Sequence, residues 1–297
     1  MNDNKYCIGI DLGGSKLILL VTSFSGDIIY EIKIPSINAT PEIAEFVRKS
    51  IATAGIGFED LIGLGIGIPG CVQEDGVVIK ARALNWYNFD LGQALRDELP
   101  IPVFIENDVN LAALGERWKG SGRQSSDIFF ITIGTGVGGA IIAGGNLIKG
   151  YNYRAGEVGF LIERKDIENA LGNRFGEQGA LEKKISGTAL SQFGCTAEEL
   201  FNRYSQNDGK AVAIINDFII NLAIMIANCT MLINPEKVII GGGVSNSLEP
   251  FIHKLSELVE QFTMEKTTIS IAALGDKAGA FGAIAFMLEK VKENKFI

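Results

Sequence analysis

The chain has 297 residues, 47% of them apolar and 21% charged, with no long polar or low-complexity tract, which excludes an extended disordered tail and leaves room for two domains with separate cores. A net charge of −8, with no Lys/Arg cluster at either terminus, argues against a general nucleic-acid surface. The single histidine, His253, lies in an amphipathic helical pattern, so acid–base chemistry falls to carboxylates.

The start, "MNDNKYCIGIDLGG", lacks the basic-then-apolar pattern of a secretory signal. The longest greasy stretch, "NLAIMIANCTMLIN" at 221–234, reads as too short for a bilayer and broken by asparagines, so a cytoplasmic protein without a membrane partner is expected. Cys7, Cys71, Cys195 and Cys229 show neither zinc spacing nor a disulfide framework, and free thiols are expected.

In chain order, "CIGIDLGGSKLILLVTS" at 7–23 is a strand, a glycine turn and a second strand, and "SGDIIYEIKI" is a third. Thr40 as N-cap and Pro41 at the first helical position open a helix in "TPEIAEFVRKSIATAGI". "LIGLGIGIPG" at 61–70 reads as a buried strand, and "PVFIEND" as another that enters a helix near Asn107. "FITIGTGVGGAIIAGG" at 130–145 repeats the opening hairpin, which suggests a duplicated unit. A long helix around 210–232, the strand "KVIIGGG", a helix at 248–262, the strand "ISIAAL" and a last helix at 277–292 follow, giving an α/β protein of two similar lobes.

Glycines cluster at strand ends. In "IDLGGSK", Gly13 and Gly14 let backbone approach a ligand, Ser15 and Lys16 offer donors, and Asp11 is an acceptor suited to a hydrated metal ion; a plain hairpin turn explains the motif equally well. "GTGVGG" at 134–139 matches the dinucleotide fingerprint formally, but a strand rather than a helix follows, which rules out that site. A loop offering backbone N–H groups and the Thr135 hydroxyl to phosphates stays open. "IIGGGVSNS" at 239–247 presents Gly241, Gly242 and Gly243 as a flat surface for a ring system, or as a turn. Glu106, Asn107 and Asp108, three consecutive polar residues at a strand end, form a helix cap with acid in its first turn, a site, or both.

Together, "GIDLGGSK", "GIGIPG", "IENDVNLAALGE", "ITIGTGVGGAI", "RAGEVG", "GALEKKISGTAL", "INPEKVIIGGGVS" and "ALGDKAGAFGA" resemble the ROK sugar kinases, within the actin-like, hexokinase-like ATPases. The resemblance implies a two-lobed actin-like (ribonuclease H-like) fold of duplicated βββαβαβα domains with an interlobe cleft. The small lobe is expected at 1–116 plus 286–297 and the large one at 117–285, with closure over the sugar. It further implies that residues 11 and 13–16 form the first phosphate loop, with Asp11 reaching Mg²⁺ through water. Gly134, Thr135 and Gly136 would form the second loop, and Gly241–Gly243 part of the adenosine site. Asp108 would be the general base, and Gly70, Asn107, Asp108, Glu157 and Glu182 would contact the sugar. ATP and a hexose are the implied ligands, and a homodimer the implied assembly.

The family's zinc site, a His after the "AGE" glutamate and three cysteines, is matched here by Phe160, Asn173, Phe175 and Ala180, so no structural zinc is expected. Phe160 and Phe175 are expected to pack together and hold the segment bearing Glu182. Ala83 stands where the family has Asn, with Asn85 two residues away as a substitute. A glucokinase-like hexose kinase is the first reading; N-acetylhexosamine and fructose kinases, or a sugar-sensing regulator, are the alternatives. A winged-helix repressor is disfavoured because the first strand starts so close to Met1, and an actin-like filament or chaperone ATPase because it needs no polyol-binding set.

Overall fold

The computed structural model describes residues 5–169, 172–173 and 177–293. The chain begins with β1 (Tyr6–Leu12), β2 (Lys16–Ser23), β3 (Ile28–Pro35), α1 (Thr40–Thr53) and β4 (Leu61–Ile68). Next come β5 (Cys71–Val72), β6 (Val77–Ala81), β7 (Trp86–Asp90), α2 (Leu91–Glu98), β8 (Val103–Asn107) and α3 (Asp108–Lys119). Then follow β9 (Ile128–Ile133), β10 (Val137–Ala143), β11 (Asn146–Ile148), α4 (Arg164–Glu168), α5 (Glu182–Ile185), α6 (Gly187–Ser191) and α7 (Ala197–Ser205). The last stretch holds α8 (Gly209–Ile233), β12 (Lys237–Gly241), α9 (Ile252–Glu260), β13 (Thr268–Ile271) and α10 (Ala278–Glu293). These elements make two compact units, residues 1–123 with 276–297 and residues 124–275.

In unit 1 the main sheet has the order β3-β2-β1-β4-β8. β1 is antiparallel to β2 and parallel to β4, and β4 is parallel to β8. Cys7–Ile10 of β1 are all buried, as befits a central strand covered on both faces, whereas the edge strand β3 has no buried residue. One face packs Ile43, Val47 and Ile51 of α1 into a core with Ile8, Leu17 and Leu64. The other meets α10 almost backbone to backbone: a Cβ on Gly9 would lie 2.1 Å from the Ala280 carbonyl oxygen, and one on Gly65 1.9 Å from that of Ala283. α10 is equally close to α3, since a Cβ on Gly282 would sit 1.6 Å from the Leu111 carbonyl oxygen. Only glycine permits such approaches. They also draw the whole of α10 into unit 1, so the boundaries fall at 123/124 and 275/276 instead of after 116 and before 286.

Unit 2 repeats the strand order as β11-β10-β9-β12-β13, with β9 antiparallel to β10 and parallel to β12. Its core sets Phe129 and Ile131 of β9 and Val238 and Ile240 of β12 against Phe218, Leu222 and Ile226 of α8. The stretch at 221–234 belongs to this 25-residue helix, which by length and composition could cross a membrane but has half of its apolar window buried in the unit. The asparagines do not break it: Asn221 Nδ2 donates to the Asp217 carbonyl one turn back, at 2.8 Å, and keeps its polar group on the helix.

Three further differences from the sequence reading are local. Ala39, not Thr40, is the cap residue of α1, and makes no side-chain cap bond. Residues 71–90 form a further, three-stranded sheet in unit 1, in the order β5-β6-β7. The segment 248–262 divides into a 3₁₀ turn at Ser245–Phe251 and α9. The four cysteines are free, and burial pushes the Cys7 thiol up to about 12 and that of Cys229 up to about 11.

Candidate active site

The junction of β8 and α3 gathers the three consecutive polar residues. Asn107 is the N-cap, extended at φ −63° and ψ 140°, and its Oδ1 accepts from Val109 N at 2.9 Å and Asn110 N at 3.0 Å. Its Nδ2 donates to the Gly70 carbonyl at 3.0 Å and to Asp108 Oδ1 at 3.1 Å. Asp108 Oδ1 also accepts from Val109 N at 2.9 Å, and the N-terminal position favours a carboxylate electrostatically. The helix-cap reading is therefore correct for Asn107. All the bonds its amide can make are in use, so a sugar hydroxyl reaching it must share or displace one. Behind it Glu106 is 2% exposed, and its Oε1 accepts from Asn107 N at 2.8 Å and Asn110 Nδ2 at 3.0 Å. Gly70 is glycine because a Cβ there would lie 2.3 Å from the Lys80 carbonyl oxygen.

Elsewhere in unit 1 the turn between β1 and β2 brings Asp11, Gly13, Gly14, Ser15 and Lys16 together. Gly13 N donates to the Lys16 carbonyl at 2.9 Å. Ser36, just beyond β3, grips the turn twice: its N donates to the Ser15 carbonyl at 3.1 Å and its hydroxyl to that of Gly13 at 2.6 Å. Ala83 closes the other side, 2.9 Å from where a Cβ on Gly14 would stand. Burial pushes the Asp11 carboxyl up to about 6; the Lys16 ammonium works against the rise and Asp276 adds to it. Lys16 Nζ lies 3.7 Å from Asp276, which Lys33 holds at 2.8 Å.

In unit 2 the β9–β10 turn at 134–136 is tied to the start of α6. Gly187 N donates to the Gly134 carbonyl at 2.7 Å, and the Thr188 hydroxyl to the Thr135 carbonyl at 2.7 Å. Glu182 Oε2 accepts from Val137 N at 3.2 Å and would lie 2.9 Å from a Cβ on Gly136. Glu157 follows Gly156 (φ +89°), where backbone passes so near β10 that a Cβ would meet the Gly139 carbonyl oxygen at 2.3 Å. Burial raises the Glu157 carboxyl; Arg154 opposes the rise and Glu182 reinforces it. Gly241 and Gly242 are needed for packing, against Phe130 and the Ile133 carbonyl. At Gly134 and Gly243 a Cβ would stand in open space, so packing does not explain these glycines; a ligand lying over the backbone would. Within unit 2 the open backbone at Gly134 and Gly243 fits a flat or phosphate-bearing ligand; within unit 1 the Asp11 carboxyl is an acceptor of the kind that fits a hydrated cation.

At three of the positions matched to the zinc ligands a side-chain amide bridges the chain. Asn173 Nδ2 donates to the Phe160 carbonyl at 2.5 Å and its Oδ1 accepts from Ala180 N at 3.0 Å. Lys184 adds ion pairs to Glu163 at 2.6 Å and Asp166 at 3.1 Å. Phe175 lies outside the described residues. Among the described residues no group of three or more His, Cys, Asp or Glu side chains could hold a metal ion. Sequence reading missed Ser36, Asn110, Gly187 and Thr188, which act through contacts distant in sequence or through a single polar helical position; "ISGTAL" carried the one visible signal, a Ser N-cap at Ser186.

A model of the ROK family matches residues 7–290. The chain belongs to the ROK family. A glucokinase from Halalkalibacterium halodurans is 32% identical to this ROK protein, over 99% of this chain and 97% of that one. A beta-glucoside kinase from Listeria monocytogenes is also 32% identical, over 80% of this chain and 82% of that one. Among solved structures, a ROK glucokinase from Streptomyces griseus in complex with glucose and AMPPNP is similar with a TM-score of 0.77 at 26% identity, covering 96% of this chain and 99% of that one.

Proposed function

We propose that this ROK-family sugar kinase transfers the γ-phosphoryl group of ATP to a hydroxyl of a hexose, with glucose the first candidate and Asp108 the general base. The observation that carries the reading is the Asp108 carboxylate at the N-terminus of α3, with Oδ1 held by the Asn107 amide and the Val109 N–H. A carboxylate so fixed can take the hydroxyl proton as the sugar oxygen attacks phosphorus and ADP departs.

In this reading Gly13, Gly14, Ser15 and Lys16, and the backbone N–H groups and Thr135 hydroxyl of the 134–136 turn, bind phosphates. Asp11 would hold Mg²⁺ through water, and the ion would neutralise charge on the phosphates. Gly243, where a Cβ would meet nothing, lies under the adenosine with Gly241 and Gly242. Glu157 and Glu182 accept from sugar hydroxyls, which selects strongly against analogues lacking them. Asn107 serves first to orient Asp108, and Gly70 to receive the Asn107 amide. The glucokinase relative, and the glucokinase structure that holds glucose and AMPPNP, support glucose and ATP. N-acetylhexosamine, fructose and β-glucosides are the other acceptors, and a sugar sensor the non-catalytic alternative. A cytoplasmic homodimer completes the proposal.

The test is Mg²⁺- and ATP-dependent ADP release across glucose, mannose, fructose, N-acetylglucosamine, N-acetylmannosamine and cellobiose. One or two sugars should stimulate turnover, and Asp108→Asn should lower it about 10²–10⁴-fold. Nucleotide binding with no sugar-stimulated turnover would leave the sensor reading and remove the base assignment.

A further inference from the structure

Three residues at the β8–α3 junction close a ring of hydrogen bonds. Glu106 Oε1 accepts from Asn107 N, Asn107 Oδ1 accepts from Asn110 N, and Asn110 Nδ2 returns to Glu106 Oε1, at 2.8, 3.0 and 3.0 Å. One arm leaves the ring toward chemistry: Asn107 Nδ2 to Asp108 Oδ1. Helix capping alone does not call for this ring, since Asn107 caps α3 with its own side chain. Glu106 and Asn110 are 2% and 7% exposed, and apolar side chains there would avoid the desolvation cost of two buried polar groups.

We infer that Glu106 and Asn110 are positioning residues for phosphoryl transfer, locking the peptide and amide of Asn107 and through them the rotation of the Asp108 carboxylate. This rests on the reading of Asp108 as the base. Neither residue touches the reacting atoms. Each removes a degree of freedom from the group that does, and a base about 1 Å out of place loses on the order of 10²-fold in rate.

The variants are Glu106→Leu, which removes the shared acceptor; Glu106→Gln, which keeps an oxygen able to accept both bonds; and Asn110→Ala, which removes the returning donor. Each is assayed by ADP release with MgATP and the sugar of highest turnover, beside Asp108→Asn and the Glu106→Leu/Asp108→Asn double variant. Glu106→Leu and Asn110→Ala should lower kcat about 30–100-fold with KM for ATP within about threefold, and Glu106→Gln should recover to within about fivefold of the parent. The double variant should be no slower than Asp108→Asn, because positioning has no value once the base is gone. Should Glu106→Leu fail to fold, Asn110→Ala decides.

A folded Asn110→Ala or Glu106→Leu with unchanged kcat, whatever its melting temperature, overturns the positioning role; an inactive Asp108→Asn would then leave the base assignment standing. Turnover retained by Asp108→Asn, or no sugar turned over by the parent protein, removes the base reading and this inference with it.

Discussion

Units 1 and 2 share one strand order, and in both an antiparallel hairpin with a glycine turn is continued by two parallel strands. They differ in how a long helix meets the sheet. Unit 2 fills its core with large side chains, Phe129 from the sheet and Phe218 from α8, each at most 1% exposed. In unit 1, where α10 crosses the sheet and α3, glycines at Gly9, Gly65 and Gly282 bring backbones almost into contact. The hairpin turns differ too: Ser36 grips the first from a neighbouring strand end, while Gly187, Thr188 and Glu182 hold the second. A duplicated topology thus fixes strand order and turn placement, and leaves packing and the means of holding each loop to diverge.

The comparison breaks in opposite directions in the two units. Phe218→Ala should cost about 3–5 kcal/mol in urea unfolding, as a cavity opens under α8. Gly282→Ala should cost nearly as much, about 3 kcal/mol, for the reverse reason: the added methyl meets the Leu111 carbonyl and α3 must move away from α10. A Gly282→Ala chain as stable as the parent would show that the two helices are free to separate. Gly243→Ala sharpens the contrast, because nothing lies within reach of its new methyl. Stability should stay within about 0.5 kcal/mol, while ATP affinity measured by calorimetry falls about tenfold.

The smallest effect is expected at Asp276, 44% exposed, whose carboxyl is lowered by the Lys33 hydrogen bond and by the lysines around it. Asp276→Asn should cost a few tenths of a kcal/mol after solvent screening. A carboxyl lowered in the folded state contributes stability above its unfolded pKa and loses it as pH falls through the folded value. The difference between parent and variant, followed by chemical unfolding, should therefore shrink as pH drops below 3.8, the ordinary aspartate value.

Much of this was legible in the sequence because it is local. The glycine turns, the apolar runs of β1 and β9 and the polar-to-helix change at Asn107 are read within a few residues; both strands fall where the pattern put them, although they are buried almost throughout instead of alternating. Motifs in their order carried the family. What escaped is non-local. No window around Ser36 shows that it will clamp Gly13, and Asn110 looks like any polar position on a helix until Glu106 is brought against it. The strands at 71–90 are too short to give a period, and the asparagines of α8 suggested breaks because their bonding back to the preceding turn is invisible in a composition.

The tight seam between α10 and the sheet also sets an order of events at the ribosome. β1, β4 and α3 are synthesised early, but the helix that covers Gly9, Gly65 and Gly115 is made only after all of unit 2. At about 5–20 residues per second, that interval is on the order of 10–30 s. During it the nascent unit 1 carries an uncovered sheet face and an unsupported α3. Unit 2, continuous in sequence, can finish first although it begins second, and the helix that bears Asp108 gains its partner last.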